Sequence, residues 1–265
     1  MKVFISADIE GVTNTTIWDE AEKGEAVYAA AAKQMTAEVK AACEGAIAAG
    51  ADYILVNDAH DYAVNIDISQ LPECAEVIRG WTGSPYAMVD GIDGRFDAAM
   101  FVGYHSAAGR CGNPLSHTFT TKTVWVKLNG VKCSEFRLYS WAAALQKVPT
   151  VLLTGDKMLC EDSRDIHPAC RMVAVKDGFG GMTRSISPSL ACKRIKEAAE
   201  QGLRQDLSHA LCTMPDHFVF EVCYKIHEHA IARSYYPGFQ LVEDNVIRME
   251  TDDFMDVLRA VVFVL

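Results

Sequence analysis

The chain reads as an α/β protein built on a mixed, mostly parallel sheet that is buried on both faces. Short apolar runs rich in β-branched and aromatic residues fall at 3–7, 53–57, 98–103, 150–153, 172–175 and 218–222, each separated from the next by helical or loop-like sequence. Near-continuous apolar strands alternating with helices are what a sheet covered on two sides requires. An Asn129-Gly130 pair between two extended segments marks a tight hairpin, so one strand pair is antiparallel and the sheet is mixed.

The first strand, 3–7, follows the initial Met1-Lys2 directly. Residues 22–49 are Ala-rich with Lys and Glu interspersed and run into Gly50, the composition and stop signal of a long helix. The strands at 53–57 and 98–103 come next, then the hairpin of 123–128 and 131–133. Helices are predicted at 134–146, 157–165, 189–207 and 251–262, the third introduced by Pro188. Gly178-Phe179-Gly180-Gly181 lacks the Gly-Lys-Ser/Thr ending of a phosphate loop and reads as a turn. The 265 residues form one unit, 1–265, and the region around Gly155 is where two lobes would divide.

Half the chain is apolar, enough for a large core, and 35 Asp and Glu outweigh 25 Lys and Arg for a net charge of -10. No sustained basic run offers a footprint for nucleic acid or an anionic membrane. No stretch has the length of a membrane span and the N-terminus has no leader pattern, so a cytoplasmic protein is expected. Nine scattered cysteines, an odd number with no Cys-x-x-Cys pair, agree with reduced thiols.

Chemistry-bearing residues gather at strand ends. Asp8 and Glu10 close the first strand as Asp-Ile-Glu-Gly, and alternation along an extended chain turns both carboxylates to one side, able to converge on one or two cations. The second strand ends in Asn57-Asp58-Ala59-His60 and the third in Gly103-Tyr104-His105. Carboxyl ends of parallel strands are where open α/β sheets keep their sites. Mixed imidazole and carboxylate ligation suits zinc best, with manganese or cobalt as substitutes. Glu135 opens a helix after Cys133-Ser134 and could complete a second metal position, while His117 follows the Gly- and Pro-bearing loop before it.

In order and spacing, Asp8-Ile9-Glu10-Gly11, Asn57-Asp58-Ala59-His60, Gly103-Tyr104-His105, Ser116-His117 and Glu135 resemble the zinc-dependent D-aminopeptidase family, also known as the dipeptide transport protein family. Val148 to Asp156, Val175-Lys176 and Arg184 to Pro188 extend the likeness to about residue 190. The resemblance implies a three-layer α/β/α fold, two zinc ions per subunit and a ring-based homo-oligomer, a decamer. It also implies Asp8 as the bridging carboxylate, Glu10, His60, His105 and Glu135 as the other ligands, and His117 as the catalytic residue, acting as acid/base or as nucleophile. Asn14 and Arg110-Cys111-Gly112-Asn113 depart from the family pattern and are expected near substrate.

The expected activity is removal of the N-terminal residue, a D-residue in one reading, from short peptides or amino-acid amides, because amine coordination to a metal selects the chain end. Two other classes stand beside it: a metal-dependent amidase acting on blocked amides, and a non-catalytic peptide-binding component linked to transport. His227 and His229, two apart on a predicted helix, do not share a face, and His167, His209 and His217 have no partner motif. Asp156 reads as a helix N-cap, with a contact to a substrate amine or to a ligand as the alternative. The absence of a Gly-x-Ser-x-Gly elbow removes the commonest serine-hydrolase reading.

Overall fold

Alternation along strand β1 (Lys2–Ala7) sorts its side chains between two cores, Val3, Ile5 and Ala7 into one and Phe4 into the other. The computed structural model, which describes residues 1–265, continues through α1 (Trp18–Ala21), α2 (Tyr28–Ala48), β2 (Tyr53–Asp58), β3 (Ala75–Ile78) and β4 (Ala98–Tyr104). The hairpin β5 (Thr123–Leu128) and β6 (Val131–Lys132) leads to α3 (Glu135–Leu145), β7 (Thr150–Asp156), α4 (Lys157–Asp162), β8 (Arg171–Phe179), β9 (Met182–Ser185) and α5 (Pro188–Arg204). The last stretch comprises β10 (Phe218–Tyr224), α6 (His227–Arg233), β11 (Phe239–Glu243), β12 (Val246–Thr251) and α7 (Phe254–Val264).

Seven strands form the main sheet in the order β3-β2-β1-β4-β7-β8-β9. All its neighbours are parallel except β9, which folds back antiparallel to β8 over the Gly180-Gly181 turn. Helices α2 and α5 pack on one face of it, and α3 lies on the other. The mixed, mostly parallel sheet with flanking helices predicted from the strand pattern is therefore present, but its antiparallel member is not the Asn129-Gly130 hairpin. That turn forms as predicted, both residues at positive φ (51° and 78°), yet β5 and β6 join a second, five-stranded antiparallel sheet, β11-β12-β10-β5-β6. Residues 218–222, read as another strand of the same series, lie there too. The reason is visible along β10, where Phe218, Phe220 and Val222 are buried between half-buried Val219 and Glu221: one covered face belongs in an antiparallel sheet.

Helix α2 begins at Tyr28 rather than near Glu22, because Gly24 holds φ +112° and breaks the run. Ser134 caps α3 by accepting from Arg137 N (3.2 Å), and Ser187 with Pro188 opens α5 in the same manner. No helix is long and apolar enough to cross a membrane.

Candidate metal centre

Adjacent strands β2, β1 and β4 end side by side, so the residues just beyond them are neighbours in space. Asp8 follows β1, His60 lies two residues past β2, and His105 follows β4; Glu135 is the first residue of α3. The strand stops at Ala7, and Asp8 to Glu10 make a turn instead of continuing extended. The turn is imposed from β4: Asp8 N donates to Val102 O (2.9 Å) and Gly11 N to Gly103 O (2.8 Å). A side chain at Gly11 has no room, since its Cβ would stand 1.8 Å from Tyr104 O.

The fold gathers Asp8, Glu10, His60, His105 and Glu135 into one buried cluster. His60 Nδ1 lies 3.3 Å from Asp8 Oδ1 and 3.1 Å from Glu10 Oε2. His105 Nε2 lies 3.5 Å from Asp8 Oδ2 and 3.2 Å from Glu135 Oε2. Each Asp8 oxygen thus faces a different imidazole, and two three-residue groups share this one carboxylate. Donor atoms around a tetrahedral zinc, bonded at roughly 2.0–2.2 Å, stand about 3.3–3.6 Å apart, close to these separations.

Outer contacts orient both imidazoles. His60 donates from Nε2 to Ala21 O (2.8 Å), and His105 from Nδ1 to Ser106 O (3.0 Å), so when a cation displaces the second proton of each ring, the nitrogen facing the carboxylates is the one that offers a lone pair. Asp8 Oδ2, Glu10 Oε2 and His105 Nε2 are buried without a hydrogen-bond partner, a costly arrangement for polar atoms unless a cation satisfies them. The residues present fit a divalent ion in both groups.

The electrostatics of the cluster agree. Burial and the Glu10 charge raise the Asp8 carboxyl well above its ordinary value. Burial would raise Glu10 too, but His60 beside it holds it well below the usual carboxylate range. Burial opposes charge on His105, yet Glu135 and Glu10 lift it to about 10, and the same contest leaves His60 well above an ordinary imidazole. Among themselves these groups retain protons that a divalent cation would displace.

His117 stands beside the cluster. Its ring stacks on His105 with centroids 4.3 Å apart, and its Nδ1 donates to Leu115 O (2.8 Å). The other nitrogen, Nε2, lies 3.6 Å from Glu135 Oε1 and 3.9 Å from Glu10 Oε1. Burial and then His105 lower its pKa below the ordinary 6.5, so it is a neutral base near neutrality. Phe119 N holds the same Glu135 oxygen at 2.6 Å.

A cavity of about 490 Å³ opens over the cluster, lined among others by His117, Trp18, Trp81 and Phe119. The two indoles were not picked out in the sequence, where lone aromatics carry no pattern; Trp18 packs edge-on against His117 (centroids 5.3 Å). Neither Asn14 nor residues 110–113, expected near substrate, line this cavity. Asn14 Nδ2 instead donates to Ala30 O (3.3 Å), Arg110 pairs with Asp162 (2.6 Å), and Asn113 Nδ2 donates to the backbone oxygen of Glu10 (2.9 Å).

Of the remaining histidines, His167 is buried in the core, its pKa pushed down to about 4 by burial and by Arg137. His217 is exposed beside Asp252 (2.7 Å) and Glu250, and His227 and His229 lie on α6. Asp156 is the N-cap of α4, accepting from Leu159 N (2.8 Å). A further buried acid, Asp58, accepts from Asn65 N and Nδ2 and from Ile66 N, while Asn65 Nδ2 also donates to His60 O (2.7 Å), ordering the turn that carries His60.

The family model described as D-aminopeptidase matches residues 1–263. A curated D-aminopeptidase from Bacillus subtilis (strain 168) is 24% identical over 262 residues, covering 98% of this chain and 95% of that protein. The solved structure of the Zn-dependent D-aminopeptidase DppA from Bacillus subtilis, a self-compartmentalizing protease, aligns with a TM-score of 0.91 at 23% identity, covering 100% of this chain and 96% of that one. At this identity the structural likeness is one of fold.

Proposed function

The chain belongs to the D-aminopeptidase family and is a peptidase, and on that premise we propose that it is a two-zinc aminopeptidase. One zinc is held by Asp8, Glu10 and His60, the other by Asp8, His105 and Glu135; manganese or cobalt can substitute. The observation that carries this reading is Asp8, whose two oxygens face two imidazole nitrogens at 3.3 and 3.5 Å while Oδ2 has no other partner. The zinc dependence of the Bacillus relative supports the choice of metal.

When bound, the ions would supply Lewis-acid chemistry, activating water, polarising the scissile carbonyl and binding a free α-amino group. The chain's own residues do the rest. Because Nδ1–H of His117 is committed to Leu115 O, Nε2 is free to take a proton from the attacking water and return it to the departing amine. Trp18 covers the edge of that imidazole and limits bulk water there. Substrates are short peptides or amino-acid amides with a free N-terminus, and a D-residue in first position accords with the family.

Kinetics on D- and L-alanyl amides and their N-acetylated forms test this. The free-amine substrates are expected to turn over at least about a hundredfold faster in kcat/KM than their acetylated counterparts, corresponding to roughly 3 kcal/mol of lost coordination. Equal turnover of the blocked forms would show an amidase instead, and binding without any turnover a peptide-capturing protein.

The proposed assembly is a ring-based homo-oligomer, a decamer, supported by the description of the Bacillus protease as self-compartmentalizing. Sedimentation is expected to give a mass near ten times 29.1 kDa. A monomer mass would overturn this assignment.

A further inference from the structure

Behind the cluster, two buried charged residues occupy register-paired positions on β7 and β8, Asp156 opposite Lys176. Lys176 is 3% exposed, and its ammonium donates to two backbone oxygens, Glu10 O and Thr15 O, the ends of the turn that follows β1. Burying an ammonium is expensive, and it is tolerated where fixed acceptors replace water. Asn113 Nδ2 donates to the same Glu10 oxygen and lies 3.4 Å from Asp156 Oδ2. The Asn113 loop is itself pinned to β8, with Gly178 N donating to Gly112 O (3.1 Å).

Asp156 does more than cap α4. Fully buried, it accepts from Ser106 N (2.7 Å) and Ser106 Oγ (2.5 Å), and Ser106 O is the acceptor that sets the His105 tautomer. The short contacts diverge from here: Lys176 reaches only the turn that bears Glu10, and Asp156 reaches His105 through Ser106, its link to the Glu10 oxygen through Asn113 being the longer one at 3.4 Å. Of the two groups that share Asp8, one contains Glu10 and the other His105; a third group joins both with His117.

We propose that Lys176 and Asp156 are positioning residues that tune the two metal positions separately, Lys176 through the Glu10 backbone and Asp156 through Ser106 and His105. The inference rests on the two-zinc reading. Outer contacts of this kind change metal affinity by about 10–100-fold when removed.

The test is calorimetric titration of the metal-free protein with zinc, with visible spectra of the cobalt-loaded forms, on wild type, Lys176→Met, Asp156→Asn, Glu10→Gln and His105→Ala. Lys176→Met is expected to weaken one of two binding steps by about 10–100-fold and leave the other unchanged, and Asp156→Asn to weaken the complementary step. The Lys176→Met effect is expected to vanish in the Glu10→Gln background and to persist in His105→Ala, because two residues acting on one position do not add. Lys176→Gln, which keeps a neutral donor, is read in the same way should the methionine variant not fold. Equal weakening of both steps, unchanged binding, or an effect that survives in Glu10→Gln would overturn the proposal. A wild type that binds fewer than two ions would instead bring down the two-zinc reading itself.

Discussion

Asp8→Ala is expected to empty both metal positions at once and to lower kcat/KM by at least about a thousandfold. Removing the Lewis acid forfeits several kcal/mol of transition-state stabilisation, and about 4 kcal/mol corresponds to that factor. Asp8 is the one carboxylate of the cluster with oxygens within 4.0 Å of both His60 and His105. Glu10→Gln should therefore weaken mainly one position. Elemental analysis after gentle purification checks the stoichiometry; two ions retained in Asp8→Ala would overturn the bridging role. Stability gives a second readout. In the metal-free fold the Asp8 carboxyl is raised above its ordinary 3.8 by burial and the Glu10 charge, so as pH rises past that value the folded state keeps a proton that the unfolded chain has released. This carboxyl consequently costs stability at neutral pH until a cation compensates it. Metal-free Asp8→Ala is expected to melt no lower than metal-free wild type at pH 7, while zinc at about 100 times its Kd stabilises only the wild type, by about 2.7 kcal/mol.

His117→Ala is expected to separate binding from turnover. A general acid or base contributes about a hundred- to ten-thousand-fold, so kcat should fall by at least two orders of magnitude with zinc content and KM near wild type. His105→Ala should lose metal instead. The two rings are placed differently: His105 Nε2 pairs with both Asp8 (3.5 Å) and Glu135 (3.2 Å) and is walled off from the cavity, whereas His117 Nε2, near Glu135 and Glu10 (3.6 and 3.9 Å), makes no pair with Asp8 and lines the cavity. Its lowered pKa places the acidic limb of the kcat/KM profile below the ordinary 6.5, and nearby cations act in the same direction. That limb should disappear in His117→Ala. Zinc depletion in His117→Ala but not in His105→Ala would mean that the two histidines exchange roles.

What the sequence determined by itself is what neighbouring residues decide. The apolar run of β1, the Ser134 cap of α3, the Asn129-Gly130 turn and the Pro188 helix start all follow from backbone preferences within a few residues, and the structure contains each of them. Asp8, His60 and His105 could be singled out because they stand within two residues of strand ends. Which sheet a strand joins depends instead on surfaces assembled from distant segments. The 123–133 hairpin and residues 218–222 have strand character in the sequence, but only the packing of their single buried faces places them in the second sheet with β11 and β12. The same limit applies at the metal centre. Lys176 reaches Glu10 O across 166 residues and Asp156 reaches Ser106 across 50, contacts to which no local pattern points. Tertiary structure also decided which oxygen of Asp8 faces which imidazole and which nitrogen each ring keeps free, because those choices follow from hydrogen bonds to Ala21 O and Ser106 O that exist only once the strands and loops have packed.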